Sequence, residues 1–279
     1  MSTTFSRIAS GFVAAAALAV PPLTHAQQET SKARSGWPCG GRLDPAYFQA
    51  AEATGGHLFL LAPAEISDAA GLLIAFNNHP QTIFRLAGTI NPGVHEFRVP
   101  IDSSVESVLF SISVQCRQTA DVSRPSGAPL VGGDDVTDFS NFQAERMVIV
   151  QRPEAGVWTI RAAGSGVAGV MVQARSALAI ADLEFAAVGS TAFARAPLAG
   201  VENVVKIDIS GRATEVQASL VNAAFRRIAP LPLTTGDTEG SYVSRFTPGM
   251  QGFRLMVEGK NADGVPFQRV HAPLFTPTR

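Results

Sequence analysis

Apolar positions keep two different rhythms along this 279-residue chain. From Gln81 onward they recur at every second residue, the period of strands with one buried face. Val205, Ile207 and Ile209 alternate with Lys206 and Asp208, and Phe253, Leu255 and Val257 alternate with Arg254, Met256 and Glu258. The densest stretch is Glu145 to Ala174. Two runs meet there at Pro153-Glu154-Ala155-Gly156, the second opens with Val157 and Trp158, and a third follows Gly164-Ser165-Gly166. This predicts a β-meander around a core Trp158, with Ile160 on the same face. Thr82–Ile90 and Val94–Val99 flank Asn91-Pro92-Gly93, which reads as a turn. Val105, Leu109, Ile112 and Val114 mark a longer strand with a break in alternation that suits a bulge. Gly127–Asn141 reads as a loop. Ala177–Phe185 either completes this first sandwich or links it to the next. Further strands are expected at Val201–Ser210, Thr214–Val221, Phe225–Leu231, Tyr242–Phe246, Gln251–Glu258 and Pro266–Ala272, with a tight turn at Asp263-Gly264.

Before Gln81 the rhythm is helical. Asp44 followed by Pro45 is a helix start, and Gly55-Gly56 is its stop. His57–Leu61 reads as a short buried strand. Pro63-Ala64-Glu65 opens a second helix, with an apolar stripe at Ala69, Leu72, Leu73 and Phe76. The fold expected is mainly β: two antiparallel, immunoglobulin-like sandwiches behind a short α/β lead-in. The boundaries are a leader at 1–26, a flexible segment at 27–43, the lead-in at 44–78, and sandwiches at 79–178 and 179–279.

The leader changes the compartment. Arg7, the apolar run Ile8–Val20, Pro21-Pro22 and Thr24-His25-Ala26 read as a secretory signal cleaved after Ala26. The apolar run is about 13 residues, short of the roughly 20 needed to span a bilayer. A secreted or periplasmic protein is expected, not membrane-spanning after cleavage. Losing Arg7 lowers 22 basic residues to 21 against 23 acidic ones, a net charge of −2. A near-neutral surface argues against a nucleic-acid partner. In an oxidising compartment the two cysteines, Cys39 and Cys116, favour a disulfide, worth about 4 kcal/mol by chain entropy.

Candidate chemistry is sparse. No G-x-S-x-G or H-E-x-x-H pattern occurs, and His57, His79, His95 and His271 stand apart in the sequence. Gly164-Ser165-Gly166 sits in an expected hairpin turn and lacks the strand-to-helix context of a nucleophile elbow. Asp134, Asp135, Asp138 and Asn141 form a glycine-flanked set of hard oxygen donors that could hold Ca²⁺, but without the EF-hand spacing a solvated loop is the simpler reading. Arg226 and Arg227 face opposite ways on an expected strand and make no patch. Neither Gly40-Gly41 nor Gly132-Gly133 has a phosphate-loop context. No catalytic, metal or cofactor residues are assigned.

Three segments resemble the region that follows a von Willebrand factor A-type domain in hemicentin-like extracellular proteins. Tyr47–Leu61, with its Ala-Thr-Gly-Gly turn, resembles the closing helix and strand of such a domain. Val99–Ser111 with Val148–Ser176 is similar to the sandwich that follows, and Phe253–Phe275 to the last hairpin of the second. The D-x-S-x-S metal motif of A-type domains is not met. Asp138-Phe139-Ser140-Asn141-Phe142 and Asp102-Ser103-Ser104-Val105-Glu106 each fail at the last ligand. The resemblance implies a non-catalytic extracellular module that contacts a protein or glycan of the extracellular space or envelope. The alternatives are a carbohydrate-binding or peptidase-accessory sandwich, and a secreted hydrolase with a site outside known motifs.

Overall fold

The computed structural model describes Cys39, residues 43–131 and residues 135–279. The leader and nearly all of the expected flexible segment lie outside the described residues. The fold is mainly β, with antiparallel sheets and no closed barrel.

Helix α1 (Pro45–Thr54) begins where Asp44 Oδ1 accepts the Ala46 N–H at 2.9 Å. It ends at Gly55, whose φ of 74° is left-handed. A Cβ at Gly55 would meet Pro273 at 2.8 Å, so this turn needs glycine for space as well as for conformation. His57–Leu61 forms no strand. A 3₁₀ turn at Pro63–Asp68 leads into α2 (Ala69–Asn77).

One sheet has the order β1-β6-β2-β5-β4, with β3 also on β6. Its strands are β1 (Gln81–Ile101), β2 (Val105–Val114), β3 (Thr119–Ser123), β4 (Val136–Asn141), β5 (Glu145–Gln151) and β6 (Gly156–Ser176). β1 and β6 each run 21 residues, and their ladder extends from Gln81↔Ala174 to Ile101↔Gly156. Asn91-Pro92-Gly93 is therefore not a hairpin turn, and neither is Gly164-Ser165-Gly166. Both lie inside continuous strands, where the register slips between Ile90 and Gly93. Nor do β5 and β6 form a hairpin, because β2 lies between them. A slip of this kind bends a strand. One arm of the ribbon lies beside β2 and the other beside β3. Side chains from both arms meet in one core, where the buried Trp158 contacts Phe110 at 5.4 Å between centroids. The sheet thus folds over onto itself. At the bend a Cβ on Gly164 would come within 2.5 Å of the Cys116 carbonyl oxygen.

Strand β2 is buried on both faces. Val108, Phe110, Ile112 and Val114 enter the main core, while Leu109 joins Leu72, Ala75 and Phe76 of α2 beneath the helical layer. Its serines also face that layer. Ser107 contacts His79 Nε2 at 3.0 Å, and Ser111 contacts His57 Nε2 at 2.9 Å.

The remaining strands make two sheets. One has the order β10-β9-β13-β14 and the other β11-β12-β8-β7. They comprise β7 (Ala179–Ala187), β8 (Asn203–Ser210), β9 (Ala213–Val221), β10 (Arg227–Leu231), β11 (Thr234–Thr235), β12 (Ser241–Phe246), β13 (Arg254–Asn261) and β14 (Pro266–Val270). Phe185, Val205, Ile207, Leu220, Leu255 and Phe267 fill the space between them. Ala177–Phe185 resolves toward this side, since β7 pairs with β8.

Buried charge ties the pieces together. The Glu52 carboxylate on α1 accepts from Arg85 on β1, at 2.9 Å, and from Arg254 on β13. Arg85 also donates to the carbonyls of Ala51, Gly55 and Gly56. Burial, then the neighbouring Arg254, lowers the Arg85 guanidinium to about 10, still protonated at neutral pH. A second pair joins Arg269 of β14 to Asp102 after β1, at 2.8 Å. Arg269 also donates to the Leu178 carbonyl and to Ser176 Oγ.

Glu52→Gln leaves two buried guanidinium groups without a counter-charge, and should cost about 3 kcal/mol or more in urea unfolding. Replacing Glu52, Arg85 and Arg254 together by apolar residues of similar volume should recover much of that loss. A pH effect is expected from His271, which stacks on Phe275 at 4.6 Å and whose imidazole burial pushes down to about 4. The unfolded chain binds this proton from pH 6.5 downward and the folded chain does not, so stability should fall as pH drops from 6.5 to about 4. His271→Gln should flatten that part of the urea midpoint–pH curve.

Candidate functional site

The disulfide residues come together. Cys39 and Cys116 are bonded, with Cα atoms 4.6 Å apart. The bond fastens the chain ahead of α1 to the end of β2. The possible calcium donors are only partly visible. Asp134 lies outside the described residues, as do the side chains of Asp138 and Asn141. Asp135 is engaged with Arg124 at 2.8 Å, and that hydrogen bond holds its carboxyl below the usual range.

A serine–histidine–carboxylate group forms where the sequence showed only isolated residues. Glu145 on β5 accepts from Ser111 Oγ at 2.6 Å and from Ser113 Oγ, and His57 Nε2 contacts both hydroxyls. In a nucleophilic triad the carboxylate bonds the imidazole and the imidazole bonds the serine. Here the carboxylate bonds the serines directly, and its approach to His57 is 3.8 Å. His57 is 4% exposed, each serine 1% and Glu145 0%. The adjoining cavity is about 20 Å³, space for about one water. Ser113 Oγ also lies 3.2 Å from the Leu58 carbonyl oxygen. The cluster therefore fastens the segment after α1 onto the sheet. It also explains why residues 57–61 add no strand: they are held by side chains and not by a ladder.

The open feature is a cleft of about 480 Å³ along the bend of β1. Phe84, Leu86 and Ile90 line it from one arm, Phe97 and Arg98 from the other, and Ala224–Arg226 from the β9–β10 connection. Phe225 lies against Phe84 with centroids 4.4 Å apart, and Phe84 lies 5.7 Å from Phe97. Phe225 packs against both the main core and the small cluster of Val221, Met256 and Val270. It does so at a φ of 60°, a strained value for a side chain of this size. Hydrogen bonds from the Phe225 N–H to the Asn222 carbonyl, and from the Arg226 N–H to Asn222 Oδ1, hold the turn.

Polar groups rim this aromatic floor. His95 Nε2 contacts the Asn91 carbonyl at 2.9 Å, and Glu96 pairs with Arg161 across the ribbon at 3.5 Å. Arg98 and Arg226 are exposed and have no ion-pair partner among the described residues. A concavity of this size, exposing apolar and polar surface in about equal measure, suits a ligand with both kinds of group. Sequence reasoning missed it because the turn expected at Asn91-Pro92-Gly93 hid the bend. Arg226, weighed beside Arg227, in fact shares the rim with Arg98.

No family model matches the chain. Mouse hemicentin-1 is 24% identical over 198 residues, covering 66% of this chain and 3% of that protein. Human hemicentin-1 is 24% identical over 202 residues, covering 67% and 4%. Mouse hemicentin-2 is 23% identical over 254 residues, covering 83% and 5%. The chain thus spans only a few per cent of the length of the curated relatives it matches. Among solved structures, the lipase BlEst2 of Bacillus licheniformis in its propeptide form covers 68% of this chain and 40% of its own at 12% identity. Its TM-score of 0.34 is too low to mean a shared fold. The chain is similar to hemicentins over most of its length, at low identity.

Phe225→Ala should cost about 2 kcal/mol, less than a fully buried phenylalanine because the ring is only half-buried. Urea unfolding of the oxidised protein checks this. Cys39→Ser with Cys116→Ser should cost about 4 kcal/mol, and alkylation of the unreduced wild type followed by mass spectrometry should leave both cysteines unlabelled.

Proposed function

We propose that this chain is a secreted, non-catalytic β-sandwich protein that acts in extracellular interaction or adhesion, and that the β1 cleft is its contact surface. The observation behind this reading is the cleft itself: Phe97 and Phe225, each partly exposed, beside two arginines that have no ion-pair partner among the described residues. Aromatic side chains and arginine are the residue types enriched at contact surfaces. The similarity to hemicentins supports a place outside the cell, and so does a disulfide, which persists in oxidising compartments. Residues 79–178 and 179–279 are read as two sandwich domains, the second immunoglobulin-like. Residues 44–78 are read as a cover for the first.

A photo-crosslinking residue at Thr89, on the cleft wall, should trap a macromolecule from the extracellular or envelope fraction. The same residue at Asp237, in the β11–β12 connection, should not. Equal trapping at both positions, or none at Thr89 in folded and secreted protein, would remove the cleft from the function.

A further inference from the structure

Resting on that reading of the cleft, we propose that its ligand is an extended peptide carrying an aromatic or apolar anchor flanked by carboxylates, laid along the free edge of β1. Three observations point to this class. The first is the backbone. β1 ends the strand order of its sheet, and two groups from outside that sheet reach its backbone: Gln268 Nε2 of β14 donates to the Ile83 carbonyl at 2.7 Å, and the Ala87 N–H donates to the Ala223 carbonyl at 2.9 Å. Two residues later Phe225 places its ring on Phe84. A backbone contact followed at strand spacing by a side chain in the floor is how an added strand is recognised. From Gly88 to Ile101 no further strand pairs with that edge among the described residues. Pro92 and the register slip divide the edge into short pieces, so backbone pairing supplies few bonds and the side chains set selectivity.

The second observation separates peptide from glycan. Phe84, Phe97 and Phe225 are tilted against one another, at 46° and 53°, and offer no flat platform for a sugar ring. Phenylalanine also lacks the polar edge of Tyr or Trp that would bond hydroxyls. A tilted apolar floor suits one inserted side chain.

The third is charge. Glu96 pairs with Arg161, and Arg98 and Arg226 are the rim charges that have no ion-pair partner among the described residues. A guanidinium fork matches a carboxylate. The ligand should place acidic residues on either side of its anchor.

The test uses the full mature, oxidised chain and a labelled synthetic peptide, Glu-Asp-Val-Phe-Val-Asp-Glu, followed by fluorescence anisotropy. Comparison peptides replace every acid by Lys, or Phe by Ser, and an oligouronate serves as the glycan competitor. The acidic aromatic peptide should bind at least tenfold more tightly than either comparison peptide. Gly88→Trp should weaken it at least tenfold. A Cβ at Gly88 meets nothing within 4 Å, so the indole fills the cleft without disturbing the strand. Arg98→Glu with Arg226→Glu, both on exposed positions, should do the same and narrow the preference over the Lys peptide. Equal binding of acidic and basic peptides, oligouronate binding in place of peptide, or indifference to Gly88→Trp would each overturn the proposal. If crosslinking at Thr89 still traps a partner while the acidic peptide fails, only the ligand class falls. If both fail, the cleft reading falls as well.

Discussion

The structure depends most on one buried carboxylate. Glu52 sits in a short helix, yet its side chain meets Arg85 of the folded-over sheet and Arg254 of the second pair of sheets, and its carbonyl accepts the Leu274 N–H. Two guanidinium groups and one carboxylate are costly to remove from water. They are tolerable because helix-end carbonyls take up more of the Arg85 donors, and the Ala272 carbonyl takes the Arg254 Nε–H. Such a cluster contributes orientation more than net stability. It specifies that α1, β1 and β13 meet in one way.

The bent ribbon follows from a different constraint. A 21-residue strand is far longer than the usual range of about 3–10 residues. It can be buried only if the sheet turns back over itself. Glycines at the bend let backbones approach, and the slip at Ile90/Gly93 supplies the curvature. The cleft is the geometric remainder of that fold-over, the mouth that the two arms leave open and that Phe225 half-fills.

Much of this was legible in the sequence, and what was hidden was non-local. Alternation located β2, β8, β9 and β14 because a period of two is a local property. The start of α1 was legible because Asp44-Pro45 is a local cap. Asn91-Pro92-Gly93 misled because proline and glycine mark a turn and a bulge with the same local chemistry. Only pairing with β6, some seventy residues away in the chain, decides between them. The burial of Ser107, Ser111 and Ser113 is non-local as well. They are buried because a helical layer covers them, and His57 and His79 satisfy them. The cleft had no local signature, being assembled from a bend and a distant turn.

The Cys39–Cys116 bond bears on mechanics. Tension arriving along the chain ahead of Cys39 crosses to Cys116 and continues toward β3, so the loop from α1 through β2 is off the direct covalent path. The helical layer between the two cysteines is bypassed. Its contacts with the sheet, and Glu52 within it, are shielded from load. A single covalent link thus keeps the helical layer and strands β1 and β2 out of the direct load path.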